Sequence, residues 1–417
     1  MHILITNHHL KDFGGSEGVT LDLALEVRAQ GHEVQVATLD VGLPFAAECL
    51  REGIEVVNLW EVGPPVQAVD LAWVHHAPVF HRWLQLGGRA RRVIFSSLSP
   101  YEPLEAPPPY ASETSLCLAN SQETLDRMCQ LGVPREQVRI FPNPVGRDAL
   151  RCSARPSEGP LRRLMVVSNH PPLELLEASA ALQAAGIEVV SWGYGRHYAL
   201  LRPEDLVAAD AVVTIGRTVQ TALVLGVPVF CYDHFGGPGW LSPSNVEAAA
   251  SRNYSGRCTG GRLEAPMLVE ALLEGFDQAR ADAELLRGTA RMHYALEVHV
   301  REVLELVGAR PELEVDVLAR WLRDHPADAR YLRLMEQLRA LEARHLATHA
   351  DHAPEVGPSE TQLADSVKAD DLGSMEADDP DAAPDVESLP EVAPADEGPA
   401  GVRATLRTVF RRLLSGS

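Results

Sequence analysis

The feature that most constrains this chain is a rhythm that runs, breaks once and restarts. Short runs rich in Val, Ile and Leu alternate with helical patterns. In the first half, "HILIT" (2–6), "EVQVATL" (33–39), "EVVNL" (55–59), "DLAWVHH" (70–76), "RVIFSSL" (92–98), "LCLANS" (116–121) and "VRIFPNPV" (138–145) read as strands. "EGVTLDLALEVRAQG" (17–31) reads as a helix ending at a C-cap glycine. Strands that are apolar on both faces and alternate with helices specify a parallel sheet covered on both sides. Residues 146–161, "GRDALRCSARPSEGPL", interrupt the pattern with polar, Pro and Gly residues and read as a linker. The rhythm then resumes with strands at 162–168, 188–193, 209–216 and 227–233 and helices at 172–186 and 217–226. The expected fold class is α/β, with Rossmann-like domains at 1–150 and 160–310. In such sheets ligands sit at the carboxyl ends of the strands, so the crevice between the domains is the expected site.

Residues 265–309 read as helices that close the second domain. A helical extension follows at 311–347, with Leu332, Met335, Leu338 and Leu341 three apart and Leu334 and Leu341 seven apart. It forms either a short coiled coil or a helix packed back on the body. Residues 348–400 are rich in Pro, Asp, Glu and Ala and lack aromatics, a composition that cannot bury enough apolar surface to fold. This acidic tail dominates the charge. Residues 351–400 hold fifteen acids against one Lys, and 401–417 hold four Arg and no acid, so only −11 of the net −21 belongs to the first 350 residues. A body of that charge is no general nucleic-acid binder. In "GVRATLRTVFRRLL" (401–414), Leu406, Val409, Phe410, Leu413 and Leu414 share a helical face beside a stripe of Arg403, Arg407 and Arg411. This basic amphipathic helix is expected either to touch a membrane surface or to dock on the tail or the body.

No apolar run approaches the roughly 20 residues of a membrane span. "MHILITNHH" lacks the basic start of a signal peptide. Six scattered cysteines without a C-x-x-C fit reduced thiols. The expected location is cytoplasmic, with a peripheral contact at the inner membrane face through 401–417.

Chemistry-bearing residues fall at the ends of predicted strands. In "NHHLKDFGGSEG" (7–18), Gly14 and Gly15 allow a tight turn, Ser16 can cap the helix, and Glu17 lies in the first turn, where the helix dipole favours an acid. Backbone N–H groups there can hold a phosphate, although a capped turn alone gives the same pattern. His75 and His76 end a strand and His81 follows. Neighbouring strand residues point to opposite faces and seldom share an ion, so one imidazole is expected to face the cleft and the other to pack. In "SSLSPYEPLEAPPP" (96–109), Ser97, Ser99, Tyr101 and Glu102 are candidates for an acceptor site, as is Asn120, next to Ala119. A Pro-rich connector is the alternative. "CYDHFGGPGWL" (231–241) places Asp233, His234, Gly236, Gly237 and Trp240 after a buried strand. Either the loop grips a ligand, with Trp240 closing its base or stacking on substrate, or it is a tight turn around a buried indole.

Three stretches carry a family resemblance. "GGSEGVTLDLALEVRAQGHEVQVAT", "ANSQETLDRMCQLGVPREQVRIFPNPV" and "ADAVVTIGRTVQTALVLGVPVFCYDHFGGPGWL" resemble, in order, segments of family 4 glycosyltransferases, which have the GT-B fold of two facing Rossmann-like domains. The resemblance spans about residues 1–300. It implies an acceptor-binding first domain, a second domain holding a nucleotide-sugar, and sugar transfer with retention, without an essential metal or other cofactor. It assigns the sugar diphosphate to Gly14, Gly15 and Ser16, with Glu17 beside them, and puts Ser97 where the family has a sugar-contacting His; His75 and His76 are acceptor candidates on their strand-end position alone, and His76 also a catalytic one. The family's paired acids, eight residues apart, are replaced here by Val213 and Thr221, with Thr218 and Gln220 as substitute hydrogen-bonders. The family's Arg and Lys after the first strand of the second domain are replaced by Asn169 and His170. Arg217 and, in "GYGRH" beginning at Gly193, Arg196 are the substitute cations. The implied partners are a nucleotide-sugar and a glycan or lipid-linked acceptor, in surface-polysaccharide or other glycan synthesis. Two alternatives stay open: a non-catalytic nucleotide- or glycan-binding protein, and a GT-B nucleotide-sugar epimerase. A nicotinamide dehydrogenase is disfavoured, because no G-x-G-x-x-G follows either opening strand.

Overall fold

The computed structural model describes residues 1–61, 67–154, 159–193, 195–324 and 330–341. The sequence-predicted acidic tail (348–400) and terminal helix (401–417) lie outside the described residues.

Seven strands form the first sheet, in the order Val56–Asn58, Glu33–Thr38, His2–Thr6, Ala68–Val74, Arg89–Ser97, Leu116–Ala119, Val138–Ile140. Every pairing in it is parallel. The strand order reverses between His2–Thr6 and Ala68–Val74, so the loops leaving these two strands open a crevice. A second sheet runs Glu188–Trp192, Arg163–Val167, Ala211–Thr214, Val229–Asp233, Gly236–Trp240. Its first four strands are parallel and the last is antiparallel. Here the order reverses between Arg163–Val167 and Ala211–Thr214, which directs Ser168, Ile215 and Gly216 toward the same crevice.

The rhythm in the sequence follows from burial. Ile3 and Ile5 pack on one face of the first sheet and Leu4 on the other, all fully buried. A strand apolar on both faces can only sit inside such a layered stack.

The chain crosses from the first sheet to the second at Val145 and returns at Ala295. The two crossings lie side by side as an isolated parallel bridge. Val145 N–H donates to the Tyr294 carbonyl at 2.9 Å, and Leu296 N–H to the Val145 carbonyl at 3.1 Å. A buried hydroxyl pair, Tyr254 and Tyr294 at 2.6 Å, sits on the second-domain side. The expectation that all helices of 265–309 close the second domain is therefore corrected at its end. Leu296, Val300, Val303, Leu304 and Val307, all on the helix Leu296–Gly308, pack in the core of the first domain beside Ile3 and Val27. An apolar stripe at spacings of three and four marks a packed helix but does not say which sheet receives it.

Between the two forms open for the extension, the described part packs on the body. Leu318, Trp321 and Leu332 join the core on the other face of the first sheet. The Trp321 ring stacks on Tyr110, with centroids 4.3 Å apart and planes 11° apart. The predicted linker holds a short helix, Arg147–Arg151.

Trp321→Ala should cost about 3–5 kcal/mol of unfolding free energy, the usual loss for a fully buried indole. Denaturant titration of the purified protein measures it. A change below 1 kcal/mol would show that the extension does not stabilise the first domain.

Candidate functional site

A cleft of about 960 Å³ lies between the carboxyl ends of the two sheets. From the first domain it is lined by Phe13, Gly14, Gly15, Ser16, Asp22 and Glu102, and from the second by residues that include Asn169, His170, Gly193, Arg217, Thr218 and Asp233. Ser99, Glu105, Thr221 and His234 also line it.

The loop after the first strand delivers the helix Gly15–Ala29 with its N-terminus toward this cleft. Gly14 is the N-cap, and no side chain caps the helix. Ser16, expected to be the cap, instead donates its hydroxyl to Glu17 Oε2 at 2.9 Å. Glu17 is buried and turns back under the loop. A Cβ on Gly14 would fall 2.4 Å from Glu17 Oε2, so the loop lies directly over the carboxylate and a larger residue there would push the Glu17 side chain aside. Glu17 Oε1 receives His9 Nε2 at 3.0 Å. Burial opposes charge on His9, but the hydrogen bond and charge of Glu17 outweigh it, and the His9 pKa is raised. Glu17 therefore braces the loop from beneath; it does not line the cleft.

The two strand-end histidines are corrected in the same direction. His75 and His76 are both buried, 1% and 2% exposed, and neither lines the cleft. Burial, aided by the neighbouring His76, pushes His75 down to about 3, so it stays neutral. His76 Nδ1 accepts the His8 backbone N–H at 2.8 Å, and its Nε2 lies 3.1 Å from Glu105 Oε1. With one ring nitrogen on the His8 N–H and the other on the Glu105 carboxylate, the ring ties together the loops after two neighbouring strands. Glu105 is fixed in turn by the Leu98 N–H, 2.7 Å from Oε2.

Of the other first-domain candidates, Ser99 and Glu102 reach the cleft. Ser97 is buried and donates to the Ser99 carbonyl at 3.2 Å, and Asn120 is buried with its amide bonded to the Leu98 carbonyl. Tyr101 sits on the outer rim. Its hydroxyl donates to Glu123 at 3.0 Å, and its ring lies under the Arg257 guanidinium at 5.0 Å.

In the second domain the helix Arg217–Leu225 starts after Gly216, which adopts φ +63°, and points its N-terminus into the cleft. Val213, which replaces one of the expected acids, is 1% exposed inside its strand. Thr218 and Thr221 line the cleft, whereas Gln220 is buried and reaches Asn253 at 3.3 Å. Gly193 lies against the Ser168 carbonyl, where a Cβ would come within 2.1 Å. Arg196 is exposed and is not among the cleft-lining residues. Asp233 ends its strand, accepting Ser168 Oγ at 3.0 Å and the His234 N–H at 2.8 Å. Burial raises its pKa, only partly offset by these hydrogen bonds and by His234.

The "GGPGW" stretch is corrected. It is a strand, Gly236–Trp240, in a hairpin with Val229–Asp233. A Cβ on Gly236 or on Gly237 would fall 1.9 Å from a backbone carbonyl oxygen, that of Gly261 or Cys231. These glycines permit backbone to pack on backbone, not on a ligand. Trp240 packs against Phe230 and Phe276 and donates to the Ala271 carbonyl at 2.9 Å.

The feature that the sequence reading missed is a set of ion pairs across the cleft. Arg217 pairs with Asp22, and Arg147 forks onto Glu26 with both bonds at 2.8 Å. Arg202 reaches Glu48 at 2.9 Å. On the far rim, Arg252 and Arg257 hold Glu123 at 2.8 and 2.7 Å. Phe13 N–H also donates to the Tyr198 hydroxyl at 2.9 Å. Asp22 and Glu26 were detectable as acids four residues apart inside the otherwise apolar "VTLDLALEV".

No protein-family model and no curated protein matches this chain. Solved structures do. That of Anabaena Alr3699/HepE in complex with UDP and glucose is 16% identical, covers 74% of this chain and 100% of its own, and superposes with a TM-score of 0.52. The same Anabaena protein in complex with UDP (14% identity, TM-score 0.52) and with UDP-glucose (15%, 0.51) covers equal shares of each chain. The chain therefore has the GT-B fold, two Rossmann-like domains facing one cleft, with a helical extension added.

Glu17→Gln should lower the His9 pKa. The raised value means that the pair contributes fully to stability below the ordinary imidazole pKa and that this contribution fades as pH rises through the raised one. Imidazole titration by NMR checks it; an unmoved His9 would show that Glu17 does not hold the proton.

Proposed function

We propose that this protein is a glycosyltransferase that binds a nucleotide-sugar in the cleft and passes the sugar to a glycan or lipid-linked acceptor. One observation carries the reading. The N-terminal turns of two helices, Gly15–Ala29 and Arg217–Leu225, line the cleft from opposite domains, and the Arg217 guanidinium bridges them, reaching over Gly18, where a Cβ would fall 2.6 Å from Nη1. Each helix start presents unpaired backbone N–H groups and the positive end of a dipole. Two such ends lining one cleft, with an arginine between them, suit a compact polyanion such as a diphosphate. The binding of UDP and UDP-glucose by the Anabaena protein of the same fold supports this class of ligand.

In this reading the second domain holds the donor through Asn169, His170, Gly193, Thr218, Thr221 and Asp233. The Gly14–Ser16 amides meet the diphosphate from the other side, while Ser99 and Glu102 face the acceptor. The work left to the protein is orientation and stabilisation of charge on the departing diphosphate, by backbone dipoles and Arg217. The reading includes retention of configuration and requires neither metal nor cofactor. A binding protein without catalysis is the second reading, favoured by the loss of the acid pair at Val213 and Thr221. Saturable binding of a nucleotide-sugar that is never consumed with any acceptor would select it.

Calorimetry with UDP, GDP, ADP and CMP tests the site. One diphosphate should bind saturably, and Arg217→Ala should weaken it by about tenfold or more, the value of a charged hydrogen bond, while leaving the nucleoside nearly unchanged. Equal losses for diphosphate and nucleoside would remove Arg217 from the phosphate role. Membrane contact through 401–417 belongs to the same proposal. Deleting 401–417 should lower association with anionic liposomes in a flotation assay and leave nucleotide binding intact; unchanged flotation would end that part.

A further inference from the structure

Arg217 is the cleft cation best placed for a diphosphate, yet it already holds a carboxylate. Its Nη2 pairs with Asp22 from the opposite domain. Both side chains are about a quarter exposed, 26% and 23%, and both line the cleft. The neighbouring pair is built differently. Arg147 engages Glu26 through Nε and Nη2 at once, the fork geometry of a lasting structural bridge. Arg217 engages Asp22 through Nη2, and its buried Nε has no hydrogen-bond partner among the described residues. A guanidinium N–H buried without a partner is costly, and one carboxylate in this position does not relieve it. A diphosphate brings several acceptor oxygens and can satisfy Nε and Nη2 together.

We infer that Asp22 is a specificity-determining residue: it occupies Arg217 in the empty cleft and yields it to a ligand carrying a nucleoside diphosphate. The inference rests on the reading of the cleft as a nucleotide-sugar site. Asp22 and the ligand are both anionic and compete for one cation. The carboxylate therefore lowers affinity for every phosphorylated ligand, and most for those that cannot displace it from Nη2 while also satisfying Nε. It acts as a filter: a nucleoside gains nothing from Arg217, a monophosphate gains part, and a diphosphate gains the whole exchange. The same carboxylate keeps Arg217 neutralised, and the cleft wall paired, when no ligand is present.

The test uses the full chain and the diphosphate that binds best among UDP, GDP, ADP and CDP, with its monophosphate and nucleoside. Asp22→Asn keeps the shape and removes the charge. It should tighten diphosphate binding by about tenfold, tighten monophosphate binding by more, and leave the nucleoside unchanged, so the preference for diphosphate shrinks. In an Arg217→Ala background the Asp22 substitution should give only the uniform gain of removing a like charge and should no longer shrink the preference for diphosphate, because the competitor and its target form one unit. Asp22→Ser serves as the second variant should the first fail to fold. Unchanged or weaker diphosphate binding in both variants would overturn the filter while leaving the nucleotide site intact. Absence of diphosphate binding in wild type and variants alike would instead overturn the functional reading, and the filter with it.

Discussion

The paired crossing at Val145 and Ala295 is the constraint from which the rest of the arrangement follows. Each parallel sheet alone would present its strand ends to solvent. The chain passes between the sheets twice at one place, and the two passages hydrogen-bond to each other. The helix Leu296–Gly308 then anchors the return in the first core. The ends of both sheets consequently face one cleft, and the glycine loop before Gly15–Ala29 meets the start of Arg217–Leu225.

That meeting concentrates positive helix ends, and the first domain answers with carboxylates. Glu17 lies beneath its own loop, Asp22 and Glu26 follow along the same helix, and Glu48 and Glu123 stand farther out. Each has a distinct task set by burial. Glu17, almost enclosed, orders the loop through His9 and Ser16; Glu26 locks Arg147; Asp22 is the least committed. The imidazoles next to this region, His75 and His76, are buried and do not line the cleft.

Much of the fold was legible in the sequence, because a doubly covered parallel sheet imposes a pattern of apolar runs that no other arrangement requires. The strands around Ile3, Val36, Val213 and Phe230 could be placed from that pattern alone. Placing side chains was harder. His76 and Ser97 stand at strand ends, as Asp233 does, yet Asp233 reaches the cleft and the other two do not. Strand ends are easily found, but which way the following loop turns depends on tertiary contacts such as Glu105 with the Leu98 N–H. The glycines at 236 and 237 illustrate the same limit. A glycine signals that something comes close, and here that neighbour is the chain's own backbone at Gly261 and Cys231. The helix 296–308 shows it at larger scale: its apolar stripe predicts burial but does not name the partner.

The ion pairs across the cleft share one polarity. Among the described residues, the arginines at 202, 217, 252 and 257 belong to the second domain, and their carboxylates at 48, 22 and 123 belong to the first. Arginines on one wall of the cleft thus face carboxylates on the other. The arginines of these pairs are partly exposed while the carboxylates at 48 and 123 are nearly enclosed, so dissolved ions reach the cation side of each pair first and screen it as ionic strength rises. The ionic share of the contact between the walls is therefore the part that buffer composition tunes, while the paired crossing at Val145 and Ala295 is insensitive to it.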